Sequence, residues 1–322
     1  MHYNDTKFIL CATDNNYAPY CGIMLTSLLE NNKDYRFCIY VANDGSISAK
    51  NEKRFSQLQS KYNCEIVLKV IDSSPLELFP LNKKISVDGH SWVTLPTYYR
   101  LLAADIFPSD VKSVLYLDCD ILVVGDLGRL WEIDLSDKAI AGVIDDNSDG
   151  NCIRLGYSTE LKYFNAGVSM YNLDYWRANN VFESFSKYAN QSRREKLLMM
   201  DQDILNGSFL NKKILLPERY NFMVTYLDKS CWANYTEAFR EELVGESKEA
   251  AVIHYDTGIK PWDFRYYGFP FWKTWDDWRR RSLWKEAHIT KPKKEYFRFI
   301  LKRILVQKSL IRKRSSLWIS LS

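Results

Sequence analysis

The sequence predicts an α/β fold in which helices cover both faces of a mostly parallel central sheet. Three features of the 322-residue chain support this prediction. Short apolar runs alternate with helical segments near the N-terminus, the run 114–117 is apolar enough for a strand buried on both faces, and polar residues directly follow several runs. Strands joined by helices lie parallel in one sheet, and such sheets bind ligands at the carboxyl ends of their strands.

The first half of the chain supplies the elements nearest to this edge. Apolar runs predict strands at 8–12, 37–42 and 65–71. Helical spacing predicts helices at 20–30, 48–62 and 97–104. The last of these helices brings Arg100 close to the strand that begins at 114, and Asp14 and Asn16 directly follow the first strand. We therefore expect these polar side chains at the same edge of the sheet.

The second half continues the same pattern. Further strands are predicted at 139–144, 162–173 and 251–253. Helices are predicted at 174–189 and 200–207, the second ended by Gly207. No internal repeat and no obvious linker precedes residue 270. We therefore expect one domain at 1–270 and an appended tail at 271–322.

Composition limits the class of protein. With 46% hydrophobic and 15% aromatic residues, the chain is predicted to fold. The seven cysteines are dispersed without a C-x-x-C pair, which predicts reduced core thiols in a cytosolic protein and neither a disulfide framework nor a zinc site. The N-terminus lacks a basic segment followed by an apolar one, and no apolar run approaches about 18 residues. We expect neither a secretory signal nor a membrane-spanning helix.

Asp118 and Asp120 follow the apolar run 114–117 within apolar surroundings. An unpaired buried carboxylate is costly, so a cation is expected beside them. In an extended segment both carboxylates would point to one side and Cys119 into the structure. Hard oxygen ligands favour Mg²⁺ or Mn²⁺, which water and a diphosphate commonly complete. Taken alone, the three residues also fit an ordinary turn at a strand end.

Six motifs stand in one order along the chain. They are Ala-Thr-Asp-Asn-Asn-Tyr at 12–17, Thr-Tyr-Tyr-Arg-Leu at 97–101, Tyr-Leu-Asp-Cys-Asp at 116–120, Phe-Asn-Ala-Gly-Val at 164–168, Asp-Gln-Asp-Ile-Leu-Asn at 201–206 and His-Tyr-(x)4-Lys-Pro-Trp at 254–262. The set spans about residues 7–265 and resembles glycosyltransferase family eight, especially its bacterial lipopolysaccharide galactosyl- and glucosyltransferases. The resemblance implies the GT-A fold with a Rossmann-like sheet, a UDP-hexose donor, Mn²⁺ with Mg²⁺ as the alternative, and retention of the anomeric configuration.

The resemblance also implies a uridine pocket after the first strand. Its residues are Ala12, Asp14, Asn16 and Tyr17. A carboxylate and an amide suit the uracil edge and the ribose, and the Tyr17 ring can stack on the base. Without the later motifs, Asp14 to Asn16 also fits a simple polar turn.

By the same resemblance, His254 is the third metal ligand beside Asp118 and Asp120, and Lys260 contacts the diphosphate. Imidazole with two carboxylates suits Mn²⁺ better than Mg²⁺. Taken alone, His254 also fits a core histidine and Lys260 a surface lysine. The family commonly has a glycine three residues after this histidine, but Thr257 stands here, which predicts a differently arranged diphosphate loop.

Four residues are similar to those that hold the donor hexose: Arg100, Asn165, Asp201 and Gln202. Their guanidinium, amide and carboxylate groups suit sugar hydroxyls. The Phe-Asn-Ala-Gly-Val segment alternatively fits a plain strand with a bend. Asp201 and Asp203 repeat the D-x-D spacing, but in a helix residues i and i+2 diverge by about 200°, which makes this pair the poorer chelator.

The expected reaction is attack of an acceptor hydroxyl on C1 from the face that UDP leaves, with a phosphate oxygen as the base. Double displacement with Gln202 or Asp201 as the catalytic residue is the alternative. The activity implied is transfer of galactose or glucose to lipopolysaccharide or another cell-surface glycan. A catalytically silent nucleotide-sugar-binding protein at the membrane surface is the competing interpretation. Nucleotidyltransferases need a Gly-rich phosphate loop after the first strand, and residues 12–17 contain no glycine.

The tail is strongly basic. The last 34 residues hold ten Lys or Arg residues and one acid, Glu295, whereas the rest of the chain is net acidic. Residues 293–314 place apolar side chains at helical spacing with basic ones between, which is typical of an amphipathic helix on an anionic leaflet. Four preceding tryptophans are expected to reinforce this anchoring: Trp272, Trp275, Trp278 and Trp284.

This pattern predicts a cytoplasmic protein, peripheral on the inner face of the bacterial cytoplasmic membrane, whose partners are the UDP-sugar, the glycan acceptor and the anionic lipid surface. A partly disordered, solvated tail is the alternative. Nucleic acid is not expected as a partner because no nucleic-acid motif is present and the body is acidic. The donor hexose, the acceptor, the linkage and the oligomeric state stay open.

Overall fold

The computed structural model describes residues 6–77, 79, 86–87, 90–91, 95–191, 196–287 and 318–319. The strands are β1 (Thr6–Thr13), β2 (Arg36–Asn43), β3 (Cys64–Val70), β4 (Ser86–Val87), β5 (His90–Ser91), β6 (Ser113–Leu117), β7 (Ile121–Val123), β8 (Ile140–Ile144), β9 (Phe164–Asn172), β10 (Lys213–Leu216), β11 (Phe222–Met223) and β12 (Val252–His254). The α-helices are α1 (Ala18–Asn31), α2 (Ala49–Lys61), α3 (Ala103–Ile106), α4 (Ser148–Leu155), α5 (Leu173–Ala178), α6 (Val181–Gln191), α7 (Asp201–Ser208), α8 (Lys229–Trp232), α9 (Glu237–Lys248) and α10 (Trp272–Arg281). Short 3₁₀ helices lie at Ser74–Leu76, Leu95–Leu102, Gly128–Glu132, Thr159–Leu161, Glu218–Asn221, Val224–Leu227 and Phe264–Tyr266.

Among the described residues, seven strands form the central sheet in the order β10-β8-β9-β6-β1-β2-β3. Strand β1 pairs in parallel with β2 and β6, and the pairs β2–β3 and β8–β10 are also parallel. Strand β9 runs antiparallel between β6 and β8. The predicted α/β fold with a mostly parallel central sheet is therefore confirmed.

Alternating residues of β1 show how the two faces of the sheet are covered. Ile9 and Cys11 belong to the apolar layer that contains α1 and α10. Phe8 and Leu10 point the other way, into the layer that contains α6 and α7. Because successive side chains of a strand alternate between the faces, a run that is apolar throughout requires helices on both sides.

The run predicted as one strand at 114–124 is two strands in different sheets. Strand β6 ends at Leu117, and residues 119–120 form a turn before β7. Strand β7 pairs antiparallel with β12, which pairs in parallel with β11, and these three form a smaller sheet. The expectation that Asp118 and Asp120 lie in one extended segment is therefore wrong, although Cys119 does point into the core.

Two predicted helices also differ from the structure. The segment at 97–104 is mostly the 3₁₀ helix Leu95–Leu102, followed by the single turn of α3. The helix predicted at 174–189 is divided into α5 and α6, because Asn180 adopts a positive φ of 46° that interrupts the helix. Helix α7 continues through Gly207 and ends one residue later.

The tryptophans after residue 270 are not all available to a membrane. Trp275 and Trp284 are buried in the layer beside α1, and the Trp284 indole N–H donates to Asn51 Oδ1 at 2.9 Å. The prediction that these two side chains anchor the protein at an interface is wrong, because both are desolvated in the core. Trp272 and Trp278 are half-buried against the same layer.

The predicted amphipathic helix at 293–314 lies outside the described residues. Beyond it, Trp318 forms a β-bridge with Asp228, and the N–H of Ile319 donates to Leu227 O at 2.7 Å. In the part of the chain that the structure describes, no helix is long and apolar enough to cross a membrane. All seven cysteines lie in described segments, and all are free thiols. The division of the chain at residue 270 stays a prediction.

Candidate active site

Three potential metal ligands converge where the central sheet meets the smaller one. Asp118, Asp120 and His254 each offer one ligand atom, and these atoms lie within 4.8 Å of one another. Asp118 follows β6, Asp120 precedes β7, and His254 ends β12 in register with Ile121. The antiparallel pairing of β7 and β12 therefore brings the histidine beside the acidic turn.

The donor set fits a divalent cation. Two carboxylates and one imidazole suit Mn²⁺ better than the all-oxygen shell that Mg²⁺ prefers. His254 Nε2 lies 3.4 Å from Asp120 Oδ1. Burial raises the pKa of Asp120, but the charges of Lys260 and His254 lower it by more. The pKa of Asp120 therefore lies well below its usual range. Asp120 is thus ionised and available as a ligand at neutral pH.

Two cations compensate the buried acids. Lys260 Nζ donates to Asp120 Oδ2 at 2.6 Å and to the carbonyl of Tyr255 at 2.9 Å. The Arg100 guanidinium donates to Asp118 Oδ1 at 2.7 Å and contacts Asp201 Oδ2 at 3.0 Å. Its Nη1 also donates to the carbonyl of Ala166 at 2.9 Å. Arg100 therefore joins Asp118 to Asp201 at the N-terminus of α7.

Tyr116 supports the same two residues from beneath. Its ring lies under the Arg100 guanidinium at 4.1 Å from the ring centroid, and its hydroxyl donates to Asp118 Oδ1 at 2.9 Å. Asp118 Oδ1 thus accepts from both groups. The two contacts fix the orientation of this carboxylate before any ligand binds.

Asp201 and Gln202 are the first two residues of α7, and both line the cavity. Burial raises the pKa of Asp201 to about 7, although Arg100 opposes the shift. The Gln202 side chain is held at both ends, since Oε1 accepts from the N–H of Ala166 at 2.9 Å and Nε2 donates to Asp145 Oδ2 at 3.1 Å. Asp203 belongs to a separate network, where it pairs with Arg154 at 2.7 Å.

The turn between β1 and α1 forms the remaining wall. Asp14 Oδ1 accepts from the N–H of Tyr17 at 2.8 Å, and the carbonyl of Asp14 accepts from the N–H of Ala18 at 2.9 Å. The turn-forming role considered for Asp14 is therefore present, and the residue also faces the cavity. Asn16 is exposed and does not line the cavity; its amide lies 3.5 Å from Asp14 Oδ2.

These walls enclose a cavity of about 330 Å³. It brings together the predicted site residues other than Asn16, namely Ala12, Asp14, Tyr17, Arg100, Asp118, Asp120, Asn165, Asp201, Gln202, His254 and Lys260. The cavity has further lining residues that were not predicted: Thr13, Pro96, Thr97, Tyr116, Cys119, Met199 and Asp256. Most of these lie within two positions of a motif residue that was identified. Their position in or beside a motif could therefore have indicated that they line the cavity.

Comparison with known proteins gives the family. The sequence model described as "Glycosyl transferase family 8" matches residues 8–265, which is most of the chain. The chain belongs to glycosyl transferase family 8. The protein is therefore a glycosyltransferase by family membership, as the order of its motifs predicted.

Similar known proteins cover much of the chain. A lipopolysaccharide 1,2-glucosyltransferase of Escherichia coli is 33% identical over 253 residues, which cover 77% of this chain and 71% of the relative. General stress protein A of Bacillus subtilis is 27% identical over 287 residues, which cover 85% and 97%. A crystal structure of the galactosyltransferase LgtC in complex with donor and acceptor sugar analogs is similar with a TM-score of 0.70 and 27% identity, over 89% of this chain and 98% of that one. The predicted GT-A fold is confirmed by this likeness.

Proposed function

We propose that this family 8 glycosyltransferase transfers galactose or glucose from a UDP-sugar to lipopolysaccharide or another cell-surface glycan, with Mn²⁺ and with retention of configuration. The observation that carries the proposal is the convergence of Asp118, Asp120 and His254 in one cavity. The similar proteins support the substrate class, since they include a lipopolysaccharide glucosyltransferase and a galactosyltransferase.

The order of residues around the cavity suits a nucleotide sugar. Asp14 and Tyr17 lie on one wall and Asp201 and Gln202 on another, with the metal cluster among the lining residues. Arg100 contacts both Asp118 and Asp201, and burial and the nearby charge of Asp120 both raise the pKa of Tyr17, so the cluster is close to both groups. In a UDP-hexose the diphosphate likewise lies between the uridine and the sugar. We infer that uridine binds beside the β1–α1 turn and that the hexose binds beside α7.

The electrostatics of the site suit departure of a diphosphate. A cation held by Asp118, Asp120 and His254 would supply positive charge to the diphosphate as a Lewis acid. Lys260 is the nearest protein cation to Asp120, and an ammonium there stabilises negative charge that grows on the leaving group. Such stabilisation favours the transition state over the bound donor, and it therefore increases kcat.

Arg100 bears on the choice between the two retaining routes. It pairs with Asp201 at 3.0 Å, and a carboxylate held in a buried ion pair is a weak nucleophile. The Gln202 amide is neutral and is already oriented by Ala166 and Asp145. These contacts support attack by the acceptor hydroxyl from the face that UDP leaves, with a phosphate oxygen as the base and Gln202 as a group that positions the hexose.

The tail supports a proposal for location. Residues 1–288 are net acidic and should not be attracted to an anionic membrane, whereas the segment after residue 288 is strongly basic and should be. We infer that the enzyme works on the inner face of the cytoplasmic membrane and reaches its acceptor there.

Release of UDP from a panel of UDP-sugars tests the proposed activity, because slow hydrolysis of the donor needs no known acceptor. Each donor is incubated with Mn²⁺, with Mg²⁺ and with EDTA. We expect metal-dependent release from UDP-galactose or UDP-glucose, and proton NMR of a transferred product gives the anomeric configuration. A protein that binds a UDP-sugar by calorimetry but never turns it over would instead be the catalytically silent binding protein.

A further inference from the structure

A chain of buried hydrogen bonds leads from the backbone of β9 to the proposed metal ligand His254. The N–H of Gly167 donates to Asn165 Oδ1 at 2.9 Å, and Asn221 Nδ2 donates to the same oxygen at 3.0 Å. At its other end, Asn221 Oδ1 lies 2.9 Å from His254 Nδ1. Asn221 is fully buried, and the His254 side chain is 5% exposed. None of the six motifs contains Asn221.

The backbone group at one end fixes the direction of every bond in this chain. A backbone N–H can only donate, so the atom of Asn165 that faces Gly167 must be the oxygen. The atom of Asn221 that faces this oxygen must then be its amide nitrogen, which leaves the Asn221 oxygen facing His254. An oxygen that only accepts requires a proton on Nδ1 of the ring. In the neutral ring, Nε2 then keeps its lone pair, on the side where Asp120 lies 3.4 Å away.

Gly167 makes this arrangement possible through its lack of a side chain. A Cβ at this position would lie 2.4 Å from His254 Cε1 and 2.9 Å from Asp118 Oδ2. The carbonyl of Gly167 also accepts from the N–H of Asp118 at 2.8 Å. The Asn-Ala-Gly segment of β9 therefore contacts two of the three potential ligands, in addition to the cavity wall formed by Asn165.

We propose that Asn221 is a positioning residue, which holds His254 as the Nδ1–H tautomer and directs Nε2 at the metal. Asn165 and the Gly167 backbone orient Asn221 in turn. The inference rests on the metal site of the proposed function, and it adds a residue that no motif contains. Groups that accept the second N–H of a ligating histidine fix its orientation, and their loss typically lowers metal affinity by about 10–100-fold.

The first experiment measures the tautomer directly in the metal-free protein. Long-range ¹H–¹⁵N spectra of ¹⁵N-histidine-labelled protein distinguish Nδ1–H from Nε2–H rings, at a pH high enough for the ring to be neutral. The chain contains four histidines, so the His254 signals are assigned as those missing from H254Q. We expect Nδ1–H for His254. An Nε2–H ring would overturn the proposal, and this measurement requires no change at Asn221.

The second experiment compares Mn²⁺ affinity among variants by the EPR signal of free Mn²⁺. Asn221→Leu keeps the approximate volume but accepts no hydrogen bond, and we expect its Mn²⁺ affinity to fall by about 10–100-fold, together with a mixed tautomer. Asn221→Asp still accepts from Nδ1–H, although it loses the bond that Asn221 Nδ2 donates to Asn165 Oδ1, so we expect it to keep the Nδ1–H tautomer and to lose less Mn²⁺ affinity than Asn221→Leu. Asn32→Leu is the control, because Asn32 is a buried asparagine that bonds only to backbone groups of Leu28, Gly125 and Leu127 in the described structure.

The outcomes separate this inference from the proposed function. Wild-type affinity in Asn221→Leu would show that Asn221 only fills space. A loss in Asn221→Asp as large as that in Asn221→Leu would show that acceptance from Nδ1–H does not set the affinity, and either result would overturn the positioning role. Failure of the wild type to bind Mn²⁺ would remove the metal from the proposed function, and the tautomer would still decide whether the hydrogen-bond chain sets the histidine.

Discussion

At the scale of single residues, the cavity places a cation against each of the two acids proposed as metal ligands. Asp120 accepts from Lys260 at 2.6 Å, and Asp118 accepts from Arg100 at 2.7 Å. A buried charge with such partners avoids most of the cost of leaving water, and removal of one partner leaves the other uncompensated. Substitutions in this cluster should therefore affect ligand binding far more than core packing.

Asp120→Asn provides the most direct test at this scale. The substitution keeps the volume of the side chain but removes the charge that a cation and Lys260 both require, so we expect loss of Mn²⁺ binding and a fall in UDP release of at least about 100-fold. Circular dichroism should show an unchanged fold. Asp137→Asn removes an acid whose side chain is 72% exposed and should leave activity unaltered. Full turnover by Asp120→Asn in Mn²⁺ would disprove the assignment of this ligand.

Glu218 gives a prediction about pH and stability at a distance from the chemistry. Burial raises its pKa from 4.5 to about 7 in the folded protein. The folded state thus holds a proton that the unfolded state has released, and the free energy of unfolding falls as pH rises from about 4.5 to about 7, by on the order of 3 kcal/mol from this group. In Glu218→Gln the neutral side chain persists at every pH, so the variant should gain stability over the wild type across this interval.

Urea unfolding at pH 5 and pH 7.5 measures this difference. Glu241→Gln is the matched control, because Glu241 is exposed on α9 and its replacement should shift both midpoints equally. A difference between wild type and Glu218→Gln that is the same at both pH values would contradict the prediction.

The sequence identified the residues with distinctive chemistry and missed those that only hold them. Asp118, Asp120 and His254 were identifiable because two acids in an apolar run and a histidine at a strand end are unusual. Asn221 lies 33 residues from His254, in a 3₁₀ helix without any periodic pattern, and nothing in its neighbourhood indicates its partner. Its role follows from the pairing of β11 with β12, which is a tertiary property.

At the scale of elements, close approach of α1 to the C-terminal segment depends on Gly22. A Cβ at Gly22 would lie 2.3–2.4 Å from ring atoms of the buried Trp284. Alanine has the higher helix propensity by about 1 kcal/mol, but overpacking a core typically costs about 1–3 kcal/mol. We therefore expect Gly22→Ala to lower the unfolding free energy despite the better helix former.

Gly245 is the internal control for this effect. It lies within α9, where nothing approaches within 4 Å of an added Cβ, so Gly245→Ala should stabilise the protein by about 0.5–1 kcal/mol. Thermal unfolding of the two variants should give shifts of opposite sign. Shifts of the same sign would show that Trp284 does not limit the space beside α1.

Element type was predictable where periodicity was clear, and element boundaries were not. The strands β1, β2 and β3 lie within two residues of the predicted positions because each contains a run of three or more consecutive apolar residues. The run 114–124 looked like one strand because β6 and β7 are both buried, and local pattern cannot reveal that they pair with different partners. The turn that holds Asp118 and Asp120 lies at this change of sheet, so the sequence pointed to residues that line the cavity through an incorrect local geometry.

At the scale of the whole molecule, residues near the C-terminus contact earlier parts of the chain at two separated places. Trp284 is buried beside α1, and Trp318 packs against Phe269 at 5.1 Å between ring centroids and bridges to Asp228. The sequence pattern predicted that Trp284 lies at a membrane surface, because an aromatic residue near basic ones suits both an interface and a core. Only tertiary contacts distinguish the two.

Membrane binding should depend on the basic charge of the tail and not on the packing of Trp318. Deletion of 291–322 would also remove Trp318, so the better variant replaces five basic residues by glutamine and keeps the end of the chain: Arg298, Lys302, Arg303, Lys308 and Arg312. Each basic group near an anionic surface contributes about 1 kcal/mol, and the variant should lose most binding to phosphatidylglycerol vesicles while its activity on a soluble acceptor persists.

The control replaces five exposed lysines of the body: Lys50, Lys53, Lys69, Lys212 and Lys229. Because the tail holds the excess positive charge, this control should still sediment with the vesicles, and raised salt should release it. Equal sedimentation of both variants would mean that the basic tail does not attach the enzyme to the membrane.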